Sequence, residues 1–130
     1  MAEMTVSHEK GRRFVAQVRG HEIITDLPEE GGGGNSAPTP PEFFIASLGT
    51  CIGVYVAAFA ERRGLTFEGF RVRLTWERAE HPTRIGKISA RVEMPGSIPA
   101  ELREPLRRTA EQCLVHNTIS HAPEVKIEIA

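Results

Sequence analysis

The sequence has few cysteines, few aromatic residues and no concentrated charge. Its 16 Lys and Arg nearly balance 17 Asp and Glu, leaving a formal net charge of -1. The basic pairs Arg12-Arg13, Arg62-Arg63 and Arg107-Arg108 are isolated from one another. Nucleic acid and anionic membranes demand clustered cations, so neither is expected as a partner, and the pairs read as solvated surface. Two cysteines are too few for a disulfide framework. In a reducing compartment such a pair is metal-binding, redox-active or simply core. Met1–His8 has no basic start, apolar run or small-residue cleavage site, so no secretory signal is read and the cytoplasm is the expected location. No internal repeat is visible.

What the chain does contain is one long apolar run. Phe43–Ala60 carries no charge and is bounded by Glu42 and Glu61. It is barely long enough to span a membrane, and Ser47, Thr50, two glycines and a cysteine interrupt it. A helix apolar all round can equally be buried on every side, which is the reading preferred here. One small sheet covers only one face of such a helix, so a second copy of the chain is expected to cover the other. At 130 residues the chain is expected to be a single domain over 1–130 with a substantial core.

Residues 1–27 pattern as a β meander. Met4–His8 and Phe14–Val18 alternate apolar and polar, His21–Thr25 follows, and Gly11 and Gly20 mark the breaks. Residues 28–38 are a glycine-rich loop, read as a flexible linker. Neither a phosphate-cradle nor a dinucleotide spacing accompanies the four glycines, and no cofactor is expected. In 39–130, Thr39-Pro-Pro-Glu42 fits a capping box opening a helix that runs to about Arg63. Phe70, Val72, Leu74 and Trp76 share one face of a strand, and Ile88, Ala90, Val92 and Met94 share one face of its hairpin partner. Pro99 opens a second helix carrying Leu102, Leu106 and Cys113, which Pro105 bends or restarts. Val125–Ile129 alternates as a last strand. The order βββ–α–ββ–α–β, with a mostly antiparallel sheet wrapping two helices, is an α+β fold.

Three positions attract chemical attention. Cys51 sits in the long helix between Gly49 and Gly53, which leave room beside its sulfur. Taken alone it is as readily a small buried hydrophobe. Cys113 has the same bland reading, and bonds to Cys51 only if the helices bring their Cα atoms within about 7 Å. Glu42 lies nine positions before Cys51, so the two do not share a helix face. A reactive thiolate needs a nearby cation, and arginine suits because its fork can hold a carboxylate as well. Cys51, Cys113, His116 and His121 could form a four-ligand set, but their spacing matches no standard zinc pattern and no metal is expected.

The stretch from Asp26 through the glycine run to Pro-Pro-Glu-Phe-Phe-Ile-Ala-Ser-Leu-Gly-Thr-Cys51 resembles the OsmC/Ohr family, and within it the YhfA-like branch. Cys113-Leu-Val-His-Asn-Thr118 resembles that family's second cysteine motif, with Leu114 where proline is usual. The resemblance covers essentially the whole chain. It implies an intertwined homodimer with the long helices crossing at its centre. It also implies reduction of organic hydroperoxides, with Cys51 as peroxidatic thiolate and Cys113 as resolving thiol. Glu42 would help hold an activating arginine, and an external dithiol would reduce the disulfide. That arginine is not placed: Arg12, Arg13 and Arg19 are candidates, and Asp26 stands near the loop position where one subgroup carries it. The alternative is a non-enzymatic dimer of the same fold that binds a small apolar ligand at its interface.

Overall fold

The computed structural model describes residues 2–130. Five strands and three α-helices follow in the order β1 Thr5–Lys10, β2 Arg13–Val18, β3 His21–Thr25, α1 Pro40–Arg62, β4 Arg71–Ala79, β5 Arg84–Glu93, α2 Ala100–Glu111 and α3 Leu114–Ser120. Both sheets are antiparallel, one of order β1-β2-β3 and one pairing β4 with β5. This is the expected α+β class. The chain divides into two compact units, Met1–Ala46 and Ser47–Ala130.

In the first unit the meander forms where alternation places it. Val15 pairs with Ile24 and Ala16 with Ile23, and the Arg19-Gly20 turn joins β2 to β3. The segment after β3 is no flexible linker, because it winds around a buried carboxylate. Asp26 is 3% exposed. It accepts the amide hydrogens of Leu27 at 2.8 Å, Gly34 at 3.2 Å and Ser36 at 3.1 Å, and the Ser36 hydroxyl at 2.6 Å. Gly33 is required there: a Cβ would lie 2.1 Å from the Leu27 carbonyl oxygen. A short 3-10 turn at Glu29–Gly31 completes the loop.

The capping box opens α1 as its residues predict. The Thr39 amide donates to Glu42 Oε1 at 2.8 Å, and the Glu42 amide donates to Thr39 Oγ1 at 3.2 Å. The helix ends one residue short of the predicted stop, where the Leu65 amide bonds back to the Ala60 carbonyl at 2.9 Å. It is long and apolar enough to cross a membrane, yet Leu48, Ile52, Val56 and Phe59 form the core of the second unit with Leu106 and Cys113. Its remaining surface is not all covered, for Val54 is 66% exposed.

Three expectations for the second unit are corrected. Pro105 does not restart α2: it removes the amide that would bond to the Glu101 carbonyl, and the helix continues through it to Glu111. Cys113 is not on α2: the chain turns at Gln112, and Cys113 takes an extended conformation (φ -61, ψ 145) as the N-cap of α3. Val125–Ile129 is not a strand, because neither sheet of this chain pairs with it, and its side chains are left outside.

Candidate functional site

The two cysteines meet. Cys51 is half-buried in the fourth turn of α1, and Cys113 is fully buried at the start of α3; both are free thiols. Cys51 packs against the core cluster that holds Cys113, and the two sulfurs lie close enough to influence one another electrostatically. Cys113 Sγ also accepts the His116 amide hydrogen at 3.2 Å, as an N-cap side chain does. Burial pushes the Cys113 thiol above its ordinary pKa, and the Cys51 sulfur beside it adds to the rise. The His116 and Val115 amides pull the other way. Cys113 therefore holds its proton while Cys51 presents the more accessible sulfur.

Of the glycines flanking Cys51, Gly49 serves a purpose other than the expected one. A Cβ on Gly49 would lie 2.6 Å from Leu74 Cδ1, so the space there is filled by β4 rather than left for a substrate. At Gly53 a Cβ would meet only Phe70 Cζ, at 3.9 Å. Gly49 thus lets a strand side chain press against the helix two residues from the thiol.

Glu42 is occupied in its capping box, two and a half helical turns before Cys51, and no arginine contacts it among the described residues. Of the candidate cations, Arg13 bonds to Glu9 Oε1 at 3.2 Å and to the Ser36 hydroxyl at 2.6 Å, while Arg12 and Arg19 are exposed. His121 bonds through Nδ1 to the Asn117 carbonyl at 3.2 Å. No group of three or more metal-ligating side chains assembles among the described residues.

A cleft of about 710 Å³ lies in the second unit near the thiol pair. Leu48 and Ile52 of α1, Ile88 and Val92 of β5 and Leu106 of α2 give it an apolar lining. Arg103 and Arg107 lie along its α2 side, and His116 forms part of its wall. His116 Nδ1 is buried without a hydrogen-bond partner. Neither the cleft nor the role of Asp26 as the carboxylate that organises its loop was read from the sequence. For Asp26, an acidic residue between a strand and a Gly/Ser loop was the available signal, because such carboxylates cap nearby backbone amides.

Comparison with known proteins agrees over most of the chain. Residues 32–128, about three-quarters of it, match the model of a family described as OsmC-like protein. Comparison with curated proteins yields no match. Among solved structures, a protein assigned to osmotic stress induction and detoxification response from Psychrobacter arcticus superposes with a TM-score of 0.83 at 22% identity, covering 91% of this chain and 88% of its own. An OsmC-like protein from Mycoplasma pneumoniae gives 0.75 at 17% identity, with coverage of 94% and 89%. An organic hydroperoxide resistance protein from Legionella pneumophila gives 0.68 at 18%, with coverage of 92% and 90%. At these identities the likeness is one of fold.

Proposed function

The chain belongs to the OsmC-like protein family, and from that membership we propose that it is a thiol peroxidase acting on organic hydroperoxides. The observation that carries this reading is the contact between the Cys51 sulfur and the buried, proton-bearing Cys113 thiol. Solved structures of the same fold include proteins named for hydroperoxide resistance, which supports the substrate class.

The chemistry balances with these two residues and an external reductant. The Cys51 thiolate attacks the terminal peroxide oxygen, the O–O bond breaks, and the departing alkoxide takes a proton to leave as an alcohol. Cys51 becomes a sulfenic acid. The Cys113 sulfur then attacks it, forming the disulfide and releasing water. An external dithiol reduces the disulfide by exchange and is itself oxidised. Because burial favours the protonated form of Cys113, its thiol must lose a proton as it attacks. Glu42 would act in placing an activating arginine, and a second copy of the chain is the source proposed for whatever covers the outer face of α1. The cytoplasm is the proposed setting, since it supplies dithiol reductants.

The test mixes fully reduced protein with cumene hydroperoxide and follows peroxide and free thiols together. The reading predicts rapid loss of two thiols per chain, one peroxide consumed, and no reaction in Cys51→Ser. Cys113→Ser should still consume one peroxide and stop at the sulfenic acid, which a dimedone adduct would capture. Wild-type consumption no faster than that of a free small-molecule thiol would sink the peroxidase reading while leaving the family and fold intact.

A further inference from the structure

The cleft beside the thiol pair combines an apolar lining with a polar edge whose charges are unevenly partnered. Its volume of about 710 Å³ falls in the range of small-molecule sites, roughly 300–1,000 Å³. On α2, Arg107 is held between Glu104 and Glu111, bonding to Glu104 through two nitrogens and to Glu111 at 2.8 Å. Those three side chains satisfy one another. Arg103, one turn earlier on the same helix and also lining the cleft, has no ion-pair or hydrogen-bond partner among the described residues. It is the one uncommitted cation at the cleft. In the wall, the buried Nδ1 of His116 has no partner either.

From this placement we infer that the cleft is a binding site for a monocarboxylate with an unbranched apolar chain. The chain lies on Leu48, Ile52, Ile88, Val92 and Leu106, and the carboxylate meets the guanidinium of Arg103. A cationic head would have to displace Arg107 from Glu104 and Glu111, which also line the cleft, whereas an anion at Arg103 displaces no ion pair. A neutral head would gain the apolar lining and leave the guanidinium unused. A carboxylate takes both, and its bidentate geometry matches the arginine fork. The site is distinct from the thiol chemistry, because neither Cys51 nor Cys113 lines the cleft.

The experiment measures binding of dodecanoate, dodecanol and dodecyltrimethylammonium, each below its micelle concentration, by calorimetry and by fluorescence. The reporter is Trp76, the single tryptophan, which pairs across the β4–β5 ladder with the cleft residue Ile88. Dodecanoate is expected to bind most tightly. Arg103→Ala, an exposed position with no partner to lose, should weaken dodecanoate about tenfold, the worth of one charge-assisted hydrogen bond, and leave dodecanol unchanged. Arg103→Lys should restore part of the loss. Cys51→Ser should bind as the wild type does, so the outcome is independent of whether the protein reduces peroxides. Equal binding of dodecanoate and dodecanol with no effect of Arg103→Ala would overturn the assignment, as would absence of dodecanoate binding. Binding that emerges only when the protein is diluted would give the cleft to a second copy of the chain and overturn it too.

Discussion

Asp26 is almost sealed from water and still ionised, because its oxygens face donors on all sides. The Ser36 hydroxyl, then the Leu27 amide, then the Ser36 and Gly34 amides, bring its pKa from the ordinary 3.8 to about 2. A carboxyl group depressed in the folded state stabilises that state above its unfolded pKa and loses the contribution as pH falls through the folded value. The loop 27–36 should therefore loosen between about pH 4 and pH 2, seen as loss of amide protection at Gly34 and Ser36 while the β1-β2-β3 ladder persists. Asp26→Asn should remove that pH dependence and lower Tm by several degrees, since an amide donates where the site offers only donors. An acid profile unchanged in Asp26→Asn would show that the loop is held by something else. Sequence gave no access to this residue's role, because three of its four donors include backbone amides, which every chain carries. The cysteines were different: their motifs are written in side chains, so both positions were legible, and only their contact needed the fold.

At the scale of elements, α1 shows what patterning reveals and what it hides. Its start was legible to the residue because a capping box is local chemistry between Thr39 and Glu42. Why glycine stands at 49 was not, since the reason is a strand more than twenty residues downstream. A methyl group at Gly49 would press on Leu74 Cδ1 at 2.6 Å, the mobile end of a side chain that can yield at some cost in packing. Gly49→Ala should therefore gain about 1 kcal/mol in helix propensity and lose about 1–3 kcal/mol to overpacking, for a net destabilisation of about 1 kcal/mol. Gly53→Ala has ordinary contact with Phe70 Cζ at 3.9 Å and should stabilise the chain by up to about 1 kcal/mol. Urea denaturation of the two variants checks both signs, and a stabilising Gly49→Ala would contradict the close approach of β4. The α2–α3 break was missed for a related reason. Pro105 is the conspicuous breaker in the sequence, yet the helix runs through it, while the real break at Gln112 carries no glycine or proline to announce it.

At the scale of the whole molecule, the fold class was legible because alternation and helical runs decide it, and the exception is informative. Val125, Ile127 and Ile129 alternate as a strand does, with Lys126 and Glu128 between them, yet they stand 76%, 83% and 93% exposed and pair with no strand among the described residues. Val54 on α1 is likewise 66% exposed, next to Thr50 and Ala58 on the same outward face. Single exposed apolar residues are ordinary on soluble proteins; a helix face and a strand-patterned segment left open together are what an interface between copies would use. If a second copy covers α1, burying Val54 in it contributes roughly 1.5–3 kcal/mol per protomer. An aspartate there would lose that contribution and place an unpaired charge in an apolar contact. Val54→Asp should therefore weaken association at least a hundredfold, while the isolated chain keeps its core because the side chain already faces outward. Sedimentation across nanomolar to micromolar concentrations checks this, with circular dichroism to confirm that the variant is folded. A folded variant that associates as the wild type does would move the interface off this face of α1, and the strand-patterned tail would then be the next surface to test.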